Sequence, residues 1–237
     1  MRTKKYIAGI ILLYFLNTVY SQKSNLRFNH YSIEDGLSQG YITCILQDSK
    51  GYMWFGTQDG LNRFNGRQFY IYKYDITDSN TISDNYIYAL AEDKKGNIWI
   101  ATRTGLNRLN PVTDEIKRFM YDEKNPESIA NKTVFNVYVD KEGTVWAKTE
   151  NILSRFNRKT GSFSHFEHYR NYFNSPESNR TFPIYEDSDR KLWVGTMDGL
   201  CFFDRAYEQF HRLHNNEKND KSLSNNYVTC IHEDNRG

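Results

Sequence analysis

Short runs of aromatic and β-branched residues, separated by turn residues, are the main pattern along this chain. The first four runs cover residues 41–46, 52–57, 61–65 and 68–73. Asp48 to Gly51 and Asn65-Gly66 stand between them, and such residues favour tight chain reversals. Runs of five or six residues bounded in this way predict four antiparallel strands joined by hairpins.

The same pattern recurs with a period of 45 to 47 residues. The four tryptophans of the chain mark it: Trp54, Trp99, Trp146 and Trp193. An aspartate precedes each tryptophan by six residues: Asp48, Asp93, Asp140 and Asp187. A turn glycine follows the first three aspartates, at Gly51, Gly96 and Gly143. Repetition at this period predicts supersecondary units that stack on one another.

The repeated residues are interpreted as structural. Tryptophans held in strict register favour packing between units over a role as platforms for sugar rings. An aspartate at the first position of a turn caps nearby backbone N–H groups, which explains its recurrence without catalysis or Ca²⁺ binding. No catalytic residue is therefore assigned.

Four short antiparallel strands in each unit describe one blade of a β-propeller, so the predicted fold class is all-β. The predicted blades cover about 37–73, 82–120, 129–167 and 180–214. Residues 27–31 match a fourth strand, and residues 223–237 match the start of a fifth blade. We expect an incomplete ring, the N-terminal part of a propeller, in which 27–31 is the outer closing strand of the last blade.

Residues 1–21 differ from the rest of the chain. Arg2, Lys4 and Lys5 precede an apolar run at 6–19, and Ser21 supplies a small residue after it. This layout is typical of a secretory signal peptide, and the run is shorter than the roughly 20 residues of a membrane span. A retained anchor is the alternative that the sequence leaves open.

Charge and composition limit the classes of partner that the chain can bind. The formal net charge is +2, and removal of the leader, with three positive and no negative residues, brings it to −1. A nearly neutral protein lacks the electrostatic footprint for nucleic acid. The mean hydropathy of −0.77 and the aromatic content of 16% fit a β protein whose core is built from large rings.

Cysteines and histidines offer no cofactor or metal site. The odd count of three, Cys44, Cys201 and Cys230, favours buried thiols over a disulfide. His165 and His168 are three residues apart on a predicted strand, as are His211 and His214. Such spacing points side chains to opposite faces of a strand, so no metal binding is expected.

Candidate ligand contacts lie where the repeat is broken. The segment between the third and fourth blades contains Tyr169, Arg170 and Tyr172. Aromatic rings that stack on sugars, next to hydrogen-bonding side chains in a connecting loop, suit an oligosaccharide. An ordinary variable loop is the alternative.

The segment Ile42 to Asn65, with Asp48, Gly51, Trp54 and Gly60-Leu61, resembles the two-component regulator propeller repeat. Residues 31–38 resemble the opening of such sensors. The resemblance implies the periplasmic sensing region of a hybrid two-component sensor anchored in the inner membrane, often responsive to glycans. It also implies a histidine kinase and phosphorelay further along the parent polypeptide, so that the partners are an oligosaccharide, the rest of that polypeptide and a second copy of the chain.

The resulting hypothesis is a ligand-sensing domain that is not an enzyme. A fragment of an exported propeller glycosidase or lyase is one alternative, and a secreted binding scaffold is another. Glycoside cleavage requires two carboxylates across the scissile bond. The sequence does not single out such a pair.

Overall fold

The computed structural model describes residues 27–167 and 182–234 of the chain. The chain divides into two compact units, Met1–Tyr31 and Ser32–Gly237. The predicted signal peptide, residues 1–21, lies outside the described residues. In the described part of the first unit, residues 27–31 carry no regular secondary structure.

The second unit begins with a short 3₁₀ helix at Ile33–Asp35 and continues in strands. The first blade contains β1 (Ile42–Gln47), β2 (Met53–Thr57), β3 (Gly60–Phe64) and β4 (Phe69–Tyr72). The second contains β5 (Ile87–Glu92), β6 (Ile98–Thr102), β7 (Gly105–Asn110) and β8 (Glu115–Phe119). The third contains β9 (Asn136–Val139), β10 (Val145–Lys148), β11 (Ile152–Asn157) and β12 (Ser162–Glu167). The fourth contains β13 (Ile184–Glu186), β14 (Leu192–Thr196), β15 (Gly199–Asp204) and β16 (Gln209–Leu213).

Each sheet is an antiparallel meander whose strands are ordered as in the chain. The tryptophan of the second strand pairs with the third strand in every blade, as in Trp54 opposite Arg63 and Trp99 opposite Arg108. The predicted all-β fold with four-stranded antiparallel blades is confirmed. The four described sheets do not close into a ring, which agrees with the expected incomplete propeller.

Turn geometry explains why the hairpins recur. Gly105, after the turn between β6 and β7, has φ 125°, and a Cβ there would lie 2.8 Å from the Phe119 carbonyl oxygen. Only glycine fits such a conformation without strain. In the fourth blade, Arg190 stands where the other blades have Gly51, Gly96 and Gly143, and it adopts φ 69°. The turn is therefore retained even where the glycine is replaced.

The core lies between blades. The first strands of successive blades lie side by side, β1 against β5, β5 against β9 and β9 against β13. Buried clusters fill the three junctions, with Trp54 between blades 1 and 2, Trp99 between blades 2 and 3, and Trp146 between blades 3 and 4. Trp193 of the fourth blade is partly exposed. Each blade thus buries apolar surface mainly against its neighbours, as expected for a repeat protein.

Two predicted terminal elements differ from their expected form. Residues 27–31, the predicted closing strand, carry no strand, and neither do residues 223–234 at the predicted start of a fifth blade. Residues 226–233 nevertheless dock on the fourth blade: Gly199 N–H donates to Asn226 O, and Val228 N–H donates to Thr196 O.

Candidate functional site

The repeat aspartates and tryptophans are joined by a hydrogen bond that the sequence analysis did not foresee. The indole N–H of Trp54 donates to Asp48 Oδ2 at 2.8 Å, and the indole of Trp99 donates to Asp93 at 2.9 Å. The same pairs form in the third blade at 2.9 Å and in the fourth at 2.7 Å. The other oxygen of Asp48 accepts the backbone N–H groups of Lys50 and Tyr52. Each carboxylate therefore connects its turn to the buried indole.

Arginines from the following blade bind two of these aspartates. Arg158 Nη1 lies 3.0 Å from Asp93 Oδ2, and Arg205 Nη1 lies 3.0 Å from Asp140 Oδ2. Burial raises the pKa of both carboxyls, but hydrogen bonds from the indole and the turn, and the Arg205 guanidinium at Asp140, lower it below the usual value. A carboxyl that remains ionised in this way is unsuited to act as a general acid.

A second set of carboxylates connects blades directly. Glu92, just before Asp93, accepts the backbone N–H of Ser49 at 2.8 Å and its hydroxyl at 2.6 Å. The equivalent Glu186 accepts the backbone N–H of Lys141. Glu233 accepts the backbone N–H of Ser188 at 3.0 Å and its hydroxyl at 2.7 Å. Residue 233 therefore occupies, relative to the fourth blade, the place that Glu92 occupies relative to the first.

At the opposite ends of the blades, polar side chains hold the connecting segments. Ser83 Oγ lies 2.9 Å from Thr102 Oγ1, and Ser83 N–H donates to Asn107 Oδ1 at 2.9 Å. Ser38, with Thr57 and Asn62, forms the same group in the first blade. In the second blade these polar groups are buried. In both blades their hydrogen bonds attach the connecting segment to the hairpin formed by the second and third strands. They hold the connecting segments in place.

The third blade replaces that group with a serine and a histidine. Ser154 Oγ lies 2.9 Å from His165 Nδ1, and His165 Nε2 lies 3.1 Å from the Pro126 carbonyl oxygen. Ser154 is fully buried, so this pair cannot present a nucleophile to a ligand. His168, the other member of the predicted histidine pair, lies outside the described residues. Across 27–167 and 182–234, no three His, Cys, Asp or Glu side chains converge on a metal site.

In the described part of the chain, Cys44, Cys201 and Cys230 form no disulfide. Burial raises the pKa of the Cys44 thiol to about 11 and also raises that of Cys201. Both are therefore protonated, unreactive side chains at neutral pH. The expectation of buried thiols is confirmed for Cys201, whereas Cys44 is only partly buried and Cys230 is exposed.

The predicted ligand residues Tyr169, Arg170 and Tyr172 lie outside the described residues. Their segment ends at Phe182, which is buried and contacts a residue that the sequence analysis missed. Lys148 Nζ lies 5.0 Å from the centre of the Phe182 ring and donates to the Thr149 carbonyl oxygen at 3.3 Å. Burial lowers the pKa of Lys148 to about 8. The signal in the sequence is that Lys148 stands where the repeat has Gly56.

Aromatic side chains lie where the first strands of successive blades begin, and we call this region the inner rim. Tyr86 immediately precedes β5, and its ring lies 4.6 Å from that of Tyr88, which in turn lies 5.2 Å from that of Phe135, just before β9. Phe182 lies 5.9 Å from Tyr227. We call these five residues the inner aromatic arc. The two parts of the arc are connected by Asn136, whose Nδ2 donates to Phe182 O at 2.8 Å.

Polar groups border the arc. Gln58 Nε2 lies 3.5 Å from the Tyr86 hydroxyl. Asp84 accepts the Tyr86 backbone N–H at 2.8 Å and pairs with Arg103 Nε at 3.3 Å. The Arg103 side chain is 64% exposed, so its remaining N–H groups face solvent. Rings bordered by amide, carboxylate and guanidinium groups equip this surface for contact with a polar ligand.

In the described part of the chain, no helix is long and apolar enough to span a bilayer.

One protein family matches two stretches of the chain, and a histidine kinase is similar to part of it. The family described as two component regulator propeller matches residues 36–59 and 81–104, which include β1 and β2 of the first blade and β5 and β6 of the second. Histidine kinase P4 of Formosa agariphila is 42% identical over 78 residues, which are 32% of this chain and 6% of that kinase.

Solved structures share the fold. The extracellular domain of the hybrid two-component system BT3049 from B. thetaiotaomicron superposes with a TM-score of 0.59 at 22% identity, over 87% of this chain and 39% of that domain. Virginiamycin B lyase from Staphylococcus aureus gives 0.53 at 15% identity, over 73% of this chain and 55% of the lyase. The chain thus spans less than two thirds of each relative. It carries two-component regulator propeller repeats on a propeller fold similar to that of hybrid two-component extracellular domains.

Proposed function

We propose that this chain is the exported ligand-sensing propeller region of a hybrid two-component sensor, and that its ligand is an oligosaccharide. The observation that carries the proposal is the 42% identity over 78 residues to a histidine kinase. Identity at this level, in a segment far too long to be one motif, supports a shared role as the sensing part of a kinase. The leader predicted at 1–21 supports a location on the periplasmic side of the inner membrane.

The absence of catalysis in this proposal rests on how the repeat carboxylates are used. Asp93 and Asp140 are buried, ionised and bound by an indole and an arginine. Hydrolysis of a glycoside needs one protonated and one ionised carboxyl that both reach the sugar. Asp93 and Asp140 are neither protonated nor open to a ligand, so neither can serve as the acid of such a pair.

Signalling in this proposal requires the rest of the sensor. The oligosaccharide binds the propeller, a second copy of the chain completes the signalling unit, and the histidine kinase of the parent polypeptide transmits the event. Virginiamycin B lyase shares the fold at 15% identity, and its chemistry does not transfer to this chain at that distance.

Two measurements on the chain test the proposal. Isothermal calorimetry with a panel of soluble hexasaccharides is expected to find at least one that binds, and chromatography of the same mixture after a day is expected to return it intact. Shortened or unsaturated products would show an enzyme and overturn the sensing role. A panel without any binding sugar would overturn the oligosaccharide as ligand.

A further inference from the structure

The hydrogen bonds that hold the blades together leave part of the inner aromatic arc unused. The repeat aspartates bind indoles and turns, the Glu92 and Glu186 carboxylates bind the preceding blade, and the Ser83 group binds its hairpin. Tyr86 and Phe135 are half-buried, and their side chains take no part in those hydrogen bonds. Their rings therefore have faces that remain available for contact.

We propose that the arc binds an extended neutral oligosaccharide, which stacks on Tyr86 and Phe135 and so crosses from the second blade to the third. This inference rests on the proposed function and adds the site and the class of sugar. Three steps of geometry and chemistry lead to it.

The first step is continuity. The rings of Tyr86, Tyr88 and Phe135 follow one another at 4.6 and 5.2 Å across two blades, with the buried Tyr88 between the half-buried Tyr86 and Phe135. Phe135 N–H donates to Lys148 O at 2.9 Å, and Asn136 donates to Phe182 O, which brings the second part of the arc beside the first. Half-buried rings on two neighbouring blades suit a chain of sugars better than a single sugar ring.

The second step is polarity. A sugar presents apolar C–H faces and hydroxyl edges, so its site needs rings and bordering hydrogen-bond groups together. Gln58 makes one side-chain hydrogen bond in the described part of the chain, to the Tyr86 hydroxyl, and its carboxamide can still accept two hydrogen bonds. Asp84 binds Arg103 through Nε and so fixes the orientation of the guanidinium. The terminal N–H groups of Arg103 remain exposed to solvent.

The third step is charge. Arg103 is neutralised by Asp84 at 3.3 Å, and Lys148 is buried behind Phe182 rather than open to solvent. Neither of these two cations is therefore open at the arc to pair with an acidic sugar. An acidic sugar would lose the hydration of its carboxylate there without gaining an ion pair, so a neutral sugar is favoured.

Three variants of the full chain test the site against neutral hexasaccharides (cellohexaose, xylohexaose, mannohexaose, laminarihexaose and maltohexaose) and against hexagalacturonate. Tyr86→Ala and Phe135→Ala each remove one ring, and Tyr207→Ala removes an equally aromatic, 76% exposed side chain in the turn between β15 and β16. Tryptophan fluorescence confirms that each variant retains the buried indoles before binding is measured.

The expected result is that one neutral hexasaccharide binds, that its Kd rises about tenfold in each arc variant, and that Tyr207→Ala leaves Kd unchanged. The Tyr86→Phe variant, which keeps the ring, is expected to bind within about threefold of the unmodified chain. If Tyr86→Ala fails to fold, Phe135→Ala carries the test, since it removes the other stacking ring.

Other results would overturn the inference in distinguishable ways. Unchanged Kd in both arc variants would move the site elsewhere while the proposed function remains. Binding of hexagalacturonate alone would refute the neutral class. No binding by the unmodified chain would overturn the oligosaccharide proposal and this inference together.

Discussion

The guanidinium of Arg158 and the indole of Trp99 donate to the same oxygen, Asp93 Oδ2, at 3.0 and 2.9 Å. Trp99 belongs to the second blade and Arg158 to the third, so one carboxylate oxygen connects two blades. Arg205, Trp146 and Asp140 repeat the arrangement one blade further on. The polar residues of the repeat therefore join neighbouring blades as well as forming turns.

Arg158→Met is expected to lower the free energy of unfolding by about 2 kcal/mol, because a hydrogen bond between charged groups is lost beside a buried carboxylate. The measurement is the urea midpoint followed by tryptophan fluorescence. Lys159→Met, at the adjacent exposed position, is the control and should change the midpoint little. Equal midpoints for the two variants would show that the Arg158 contact does not stabilise the junction.

Stability is expected to fall with acid because of Asp93 and Asp140. Their folded pKa values lie below the usual value of 3.8, so the folded chain binds fewer protons than the unfolded chain near that pH. The stabilisation is present above about pH 4 and is lost as the pH falls through the folded pKa. Asp140→Asn should be less stable at pH 7 and should lose less stability between pH 5 and 2. Parallel acid curves for the two proteins would contradict this assignment.

The interblade glutamates Glu92 and Glu186 should differ in their contribution to stability. The Glu186 side chain is fully buried and binds both the Lys141 N–H and Arg205 Nη2, the latter at 3.1 Å, whereas Glu92 binds only Ser49 in the described part of the chain. Glu186→Ala is expected to cost about 3 kcal/mol and Glu92→Ala about 1 kcal/mol, measured by urea denaturation. A larger loss for Glu92→Ala would reverse the argument from burial.

Lys148 is expected to destabilise the fold at neutral pH. Its pKa falls from 10.5 to about 8, so between these values the unfolded chain holds a proton that the folded chain has lost, and stability rises with pH. Below pH 8 the cost is about 3 kcal/mol. Lys148→Met, similar in volume, should therefore raise stability at pH 7 and remove the rise between pH 8 and 10. Lys132→Met, at an exposed position, should leave that rise in place; a Lys148→Met chain that keeps the rise would contradict the assignment.

Much of the fold could be predicted because its determinants are local. Alternating residues and turn residues such as Asp48 and Gly51 act within one hairpin, and the 45 to 47 residue period shows that hairpins repeat. The structure places strands within one or two residues of those runs in the first blade, where residues 52–57 become Met53–Thr57.

The candidate site was less predictable. The sequence analysis looked for function where the repeat is broken, at Tyr169, Arg170 and Tyr172, and those residues remain a prediction. Lys148 is also such a break, since it replaces Gly56 of the first blade, and alignment of the blades residue by residue reveals it. The inner aromatic arc lacks a signal of this kind, because Tyr86 and Phe135 read as ordinary strand residues.

By itself, the sequence determined the blade as a unit: its strands, its hairpins and the spacing of its tryptophans and aspartates. Only the tertiary structure decided which groups from different blades meet, such as Arg158 with Asp93, 65 residues apart, or Ser49 with Glu92. The physical reason is the distance along the chain over which each kind of interaction acts. Strand and turn preferences act over a few residues, whereas contacts between blades depend on how whole sheets stack, and a periodic sequence states the period without stating which side chains face each other across the junction.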